Sequence, residues 1–163
     1  MAQVFLSLGS NIDREAHIRA GLEALARDFG DLTVSRVFES EAVGFDGANF
    51  YNLVVGIHTD LSVGALALRL REIEDANGRR RGGPKFSART LDIDILTYDE
   101  LAGTVDGVEL PRGEILKNAF VLQPLAEIAP QQQHPLSGES YAELWERYDK
   151  MKQKLWPVDF RWP

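Results

Sequence analysis

The chain has 163 residues, 44% apolar and 26% charged, with no cysteine and a formal net charge of −7. This suits a globular domain that buries its core without staples, and it excludes a disordered or fibrous chain. It also excludes disulfides, thiolate metal sites and a thiol nucleophile, and the acidic balance argues against non-specific nucleic-acid binding.

No apolar run approaches the ~18 residues of a membrane helix. Met1-Ala2-Gln3-Val4-Phe5 reads as a strand start without the basic flank of a leader, so a cytoplasmic protein is expected.

Val4-Phe5-Leu6-Ser7-Leu8, closed by Gly9, has the pattern of a strand buried on both faces. Ile18, Leu22, Leu25, Ala26 and Phe29 then recur at helical spacing, with Asn11 or Asp13 as a cap and Gly30 as a left-handed stop. Leu32, Val34 and Phe38 share the parity of a second strand, interrupted by Arg36, and Glu39 to Ala48 reads as a polar loop. A third strand covers 50–59, with Phe50, Asn52 and Val54 on one face and Tyr51, Leu53, Val55 and Ile57 on the other.

Ser62 is placed to cap a second helix reaching about Asn77, with Leu66, Leu70 and Ile73 as its buried stripe. A glycine-rich loop follows, and Thr90 to Tyr98 is a fourth strand. The order strand–helix–strand–strand–helix–strand is the split βαβ pattern of a ferredoxin-like α/β (α+β) sandwich, with helices packed on a mostly antiparallel sheet.

Further on, Val108 to Pro111 reads as a short edge strand, and Asn118 to Ile128 holds a compact apolar run. Ser140 and Glu143 are spaced as a capping box. They open a third long helix carrying Tyr141, Leu144, Trp145, Tyr148 and Met151 on one side, which Pro157 prevents from continuing beyond Trp156. No linker divides the chain, so 1–163 is expected to be a single domain. The tail, 156–163, either packs on the body or forms an interaction patch.

The sharpest chemical feature is Arg89-Thr90-Leu91-Asp92-Ile93-Asp94-Ile95-Leu96. In a strand, Leu91, Ile93 and Ile95 face one way and both aspartates the other, with Cα atoms about 6.5–7 Å apart. Two such carboxylates repel by roughly 2–3 kcal/mol at an effective dielectric near 20. A divalent cation turns that liability into a site. Oxygen-only ligands suit Mg²⁺, which keeps waters and accepts substrate phosphate oxygens. A bare Asp-x-Asp also fits a merely wet strand face.

The loop before it shifts the balance. From Gly78 to Thr90 there are five cations (Arg79, Arg80, Arg81, Lys85, Arg89) and no acid, on a chain with 18 cations and 25 acids in all. Arginine forks match phosphate oxygens, and a long glycine-rich loop suits a lid. A solvated basic linker is the alternative for the loop alone. There is no P-loop motif, and His17, His58 and His134 lack metal-ligand spacing.

With Leu8-Gly9-Ser10-Asn11, Phe50-Tyr51-Asn52, Gly78-Arg79-Arg80-Arg81 and the run Phe120 to Pro130, these motifs resemble the 6-hydroxymethyl-7,8-dihydropterin pyrophosphokinases of folate biosynthesis. The resemblance extends to about residue 150 and implies a ferredoxin-like fold. It implies transfer of the β,γ-pyrophosphoryl group of ATP to the pterin hydroxymethyl, releasing AMP.

By that resemblance Asp92 and Asp94 bind two Mg²⁺ ions, while Arg79 and Arg89 serve the transfer. Asn52 reads the pterin's amide edge between Phe50 and Phe120, with Val43 and Gly44 on the same side. Arg71, Glu74, Arg81, Phe86, Ile95 and Arg112 fall on the nucleotide side. The implied partners are ATP and the pterin, without nucleic acid or membrane, in a monomer or weak homo-oligomer.

The chain departs from the family pattern in three motifs. It has Phe86-Ser87-Ala88-Arg89 for Trp-Gly-Pro-Arg, Arg112 after Pro111 where a histidine is common, and Arg71 for a glutamine. The loop 40–44 also lacks the usual prolines. The alternatives are a non-catalytic or altered-specificity paralogue and, from fold analogy alone, a nucleotidyl transferase or cyclase.

Overall fold

The computed structural model describes residues 1–41, 47–78 and 90–163. Its centre is β1 (Ala2–Ser10), which runs antiparallel to β4 (Phe50–Thr59) on one side and to β5 (Asp92–Tyr98) on the other. Beyond β4 lie β3 (Phe38–Ser40) and then β8 (Leu155–Pro157), giving the order β5-β1-β4-β3-β8, with β2 (Thr33–Val34) also paired to β4. This is the mixed sandwich expected from the element order.

Alternation along the strands divides the core in two. Val4, Leu6, Leu8, Leu53, Val55, Ile57, Ile93 and Ile95 face α1 (Arg14–Phe29) and α2 (Val63–Ala76). Phe5, Val54 and Leu96 face α4 (Ala119–Ile128) and α5 (Tyr141–Arg147). Ser62 caps α2 by accepting from Ala65 N–H, and Ser140 with Glu143 forms the capping box of α5. At α1 the capping position falls to Asp13, in left-handed backbone and without a side-chain cap. Gly30 closes that helix at φ +79° but ψ −135°, outside the left-handed helical region.

Three expectations are corrected. The second strand is two pieces, because Ser35 bonds Val54 through its backbone N–H and accepts from Val54 N–H through its hydroxyl. This irregularity flips the parity: Val34 and Val37 pack on the α1 side, while Phe38 lies opposite Asn52.

Among the described residues, Val108–Leu110 (β7) pairs with β6 (Gly103–Val105) in a separate two-stranded ribbon and not with the main sheet. The third long helix ends at Arg147. Tyr148 turns extended, Lys150 Nζ donates to the carbonyls of Trp145 and Glu146, and Met151 is 83% exposed. The chain then gains backbone partners as β8. Its tail packs on the body, with Val158, Phe160 and Trp162 against the α1-side core. No helix among the described residues is long and apolar enough to cross a membrane.

Candidate active site

β5 delivers the two carboxylates as the alternation requires. Ile93 and Ile95 are buried in the α1-side core, while Asp92 and Asp94 share the other face and remain part-exposed. Register sets the neighbours: Gly9 lies opposite Asp92 on one side and Asn52 on the other, so Asp92, Gly9 and Asn52 form one row across three strands. At ~4.8 Å per strand, the row spans roughly 10 Å between carboxylate and carboxamide.

Gly9 keeps the middle of the row open. A Cβ there would stand 3.1 Å from Asn52 Oδ1 and 3.8 Å from Phe50 Cδ1.

Arg112 follows β7, and its backbone N–H is held by Leu96 O (2.8 Å). Its guanidinium donates to Glu114 Oε1 (2.9 Å) and stands 3.6 Å from Asp94 Oδ2. Glu114 opens α3 (Glu114–Lys117). Asp94 is pushed up to about 7, first by burial and then by the charge of Asp92. Arg112 pulls the other way but is shared with Glu114, so it leaves Asp94 short of neutralisation.

Among the described residues no three His, Asp or Glu side chains gather as a ready-made metal cage. The donor set instead fits a hard divalent cation that brings its own waters or phosphate oxygens: two carboxylates on one face, uncrowded by Gly9, with acids outnumbering cations among the described residues beside them.

At the other end of the row, Asn52 is 7% exposed and donates through Nδ2 to Ser40 Oγ (2.7 Å). Phe50, first in β4, is half-buried on the same face, and Phe120 is half-buried in the first turn of α4. Half-buried aromatics and one held carboxamide are the residue types that suit a flat, polar-rimmed heterocycle.

Glu74, at the end of α2, is buried, and its Oε2 accepts from Ile93 N–H (2.7 Å), fastening the helix to the strand between the two aspartates. Arg71, one turn earlier, is exposed. Ile95 faces away from the aspartates into the core, so only its backbone can serve a ligand on their face. Val43, Gly44, Arg79, Arg81, Phe86 and Arg89 lie outside the described residues.

Two neighbours escape sequence reasoning. Ser40 begins the loop 40–44 noted in the sequence, but its bond to Asn52 becomes visible only through the β3–β4 register. Glu114 has a signal, two residues from Arg112, that reads as an ordinary surface pair.

The sequence model of 7,8-dihydro-6-hydroxymethylpterin-pyrophosphokinase (HPPK) matches residues 5–130. The chain is 36% identical over 138 residues to the 2-amino-4-hydroxy-6-hydroxymethyldihydropteridine pyrophosphokinase of Aquifex aeolicus, covering 83% of this chain and 86% of the relative. It is 36% identical over 132 residues to the Bacillus subtilis protein of the same name, covering 78% of each.

Among solved structures, the HPPK-DHPS of Plasmodium falciparum superposes with a TM-score of 0.73 at 14% identity. That match covers 93% of this chain and 44% of that longer one, and it supports the fold alone.

Proposed function

From a chain that belongs to the 7,8-dihydro-6-hydroxymethylpterin-pyrophosphokinase family, we infer an ATP-dependent pyrophosphokinase acting on 6-hydroxymethyl-7,8-dihydropterin. Residues 1–163 serve as one catalytic unit. The observation that carries this reading is the row Asp92–Gly9–Asn52, with a metal-competent carboxylate at one end and a held carboxamide at the other.

The hydroxymethyl oxygen attacks Pβ of ATP, the bond from Pβ to the α,β-bridging oxygen breaks, and AMP leaves with that oxygen. The hydroxyl proton is lost to solvent. Asp92 and Asp94 would hold Mg²⁺, as two ions on the family pattern. When bound, Mg²⁺ supplies charge neutralisation along the triphosphate.

Asn52 orients the heterocycle through both its amide donor and its carbonyl acceptor, while Phe50 and Phe120 supply stacking area and keep water from its faces. Arg112 exchanges part of its contact with Glu114 and Asp94 for a phosphate oxygen. Arg79, Arg81 and Arg89 add cationic contacts along the phosphates, with Phe86, Arg71 and Glu74 on the nucleotide side and Val43 and Gly44 on the pterin side.

Mixing the protein with ATP, Mg²⁺ and the pterin is expected to form AMP and pyrophosphorylated pterin in equal amounts. Asp92→Asn should lower turnover by about 100-fold or more while circular dichroism stays unchanged. ADP as product, or full activity of that variant, would defeat the reading.

A second reading, a binding paralogue without turnover, draws support from Arg112 standing 3.6 Å from Asp94. Calorimetry separates the two: pterin binding without Mg²⁺-dependent binding of a non-hydrolysable ATP analogue favours the paralogue.

A further inference from the structure

The C-terminal strand ends beside the heterocycle end of the sheet. β8 pairs antiparallel with β3, setting Phe38 opposite Pro157, Glu39 opposite Trp156 and Ser40 opposite Leu155. Val158 N–H donates to Val37 O (3.0 Å). By antiparallel alternation, Trp156 and Glu39 form the next hydrogen-bonded pair, and Pro157 falls where no donor is required.

The chain end is anchored further on. Arg19 lies 4.7 Å over the Phe160 ring and donates to Arg161 O (3.2 Å).

β3, the strand so held, carries the polar partner of Asn52 on one face and a charged contact to the start of β4 on the other. Ser40 Oγ accepts from Asn52 Nδ2, and Glu39 accepts from Asn49 Nδ2 (2.9 Å) while pairing with Arg14 (3.4 Å). Without β8, this three-residue strand would be the frayed margin of the sheet.

We propose that β8 and Ser40 are positioning elements for the pterin: the C-terminal strand keeps β3 in register, and Ser40 thereby fixes the direction of the Asn52 carboxamide. The proposal rests on the pterin reading above and adds to it a distant segment that controls recognition.

Full-length Trp156→Pro removes the donor of the central β3–β8 pair. It is expected to raise KM for the pterin about five- to tenfold, the worth of one lost hydrogen bond, while KM for ATP stays put. Leu155→Gly, which loosens the same strand while keeping its donors, takes its place if that variant does not fold.

Ser40→Ala should reproduce the pterin effect and Ser40→Thr should restore it. The double variant Trp156→Pro with Ser40→Ala should be no worse than either single. Equal rises in both KM values, failure of threonine to restore, or multiplying effects in the double variant would overturn the positioning role. Active wild type with unmoved variants overturns this inference alone, whereas wild type that forms no AMP overturns the pyrophosphokinase reading with it.

Discussion

Asp94 sits in a strand, where aspartate is disfavoured, partly withdrawn from water and beside a second carboxylate, and its protonated form persists to about pH 7. Above that pH the ionised group is a burden on the metal-free fold. Asp94→Asn keeps the shape and deletes the charge. At about pH 8 in chelator, it should stabilise the protein by about 1–2 kcal/mol in urea unfolding while activity collapses. Equal or lower stability would mean that Arg112 already balances the carboxylate. At this scale the aspartate pair is legible in the sequence because strand alternation is a local rule. The Ser40–Asn52 bond and the Glu74–Ile93 clasp are not, since both depend on which strands and helices become neighbours.

At the scale of elements, caps and strong periodicity were readable from local chemistry: Ser62, the Ser140–Glu143 box and the bounds of β4 all match expectation. The failures lie where a tertiary partner outbids local preference. Trp145, Tyr148 and Met151 continue a helical stripe, yet the chain leaves the helix at Tyr148 and is taken up as β8.

His134, just before α5, reads as an unremarkable loop histidine but is 2% exposed. Its Nδ1 accepts from Leu136 and Ser137 N–H (3.2 Å each), and burial lowers its pKa from 6.5. The unfolded chain therefore takes up the proton first. Stability from this group is present above pH 6.5 and is lost as pH falls from there through the depressed folded value. His134→Asn, whose Oδ1 can replace the Nδ1 acceptor, should flatten that part of the melting-temperature profile between about pH 7 and 5. An unchanged slope would place the proton uptake elsewhere.

Over the whole molecule, 25 acids oppose 18 cations, and on the proposed function the acidic pair lies on the path of a polyanion. Mg²⁺ is thus expected to be a condition of nucleotide binding. In thermal melts, a non-hydrolysable ATP analogue with Mg²⁺ at a hundred times Kd should stabilise by about 2.7 kcal/mol. Chelator should abolish this, and an equal shift without metal would refute the coupling.

The outermost strands have a colloidal consequence. Along β5, Glu74 occupies the Ile93 N–H and the Arg112 backbone occupies the Leu96 carbonyl. β8 is three residues long and carries Pro157. Both margins are therefore blunted against lateral growth, and the paired carboxylates of β5 add like-charge repulsion to any approach of a second copy at that margin.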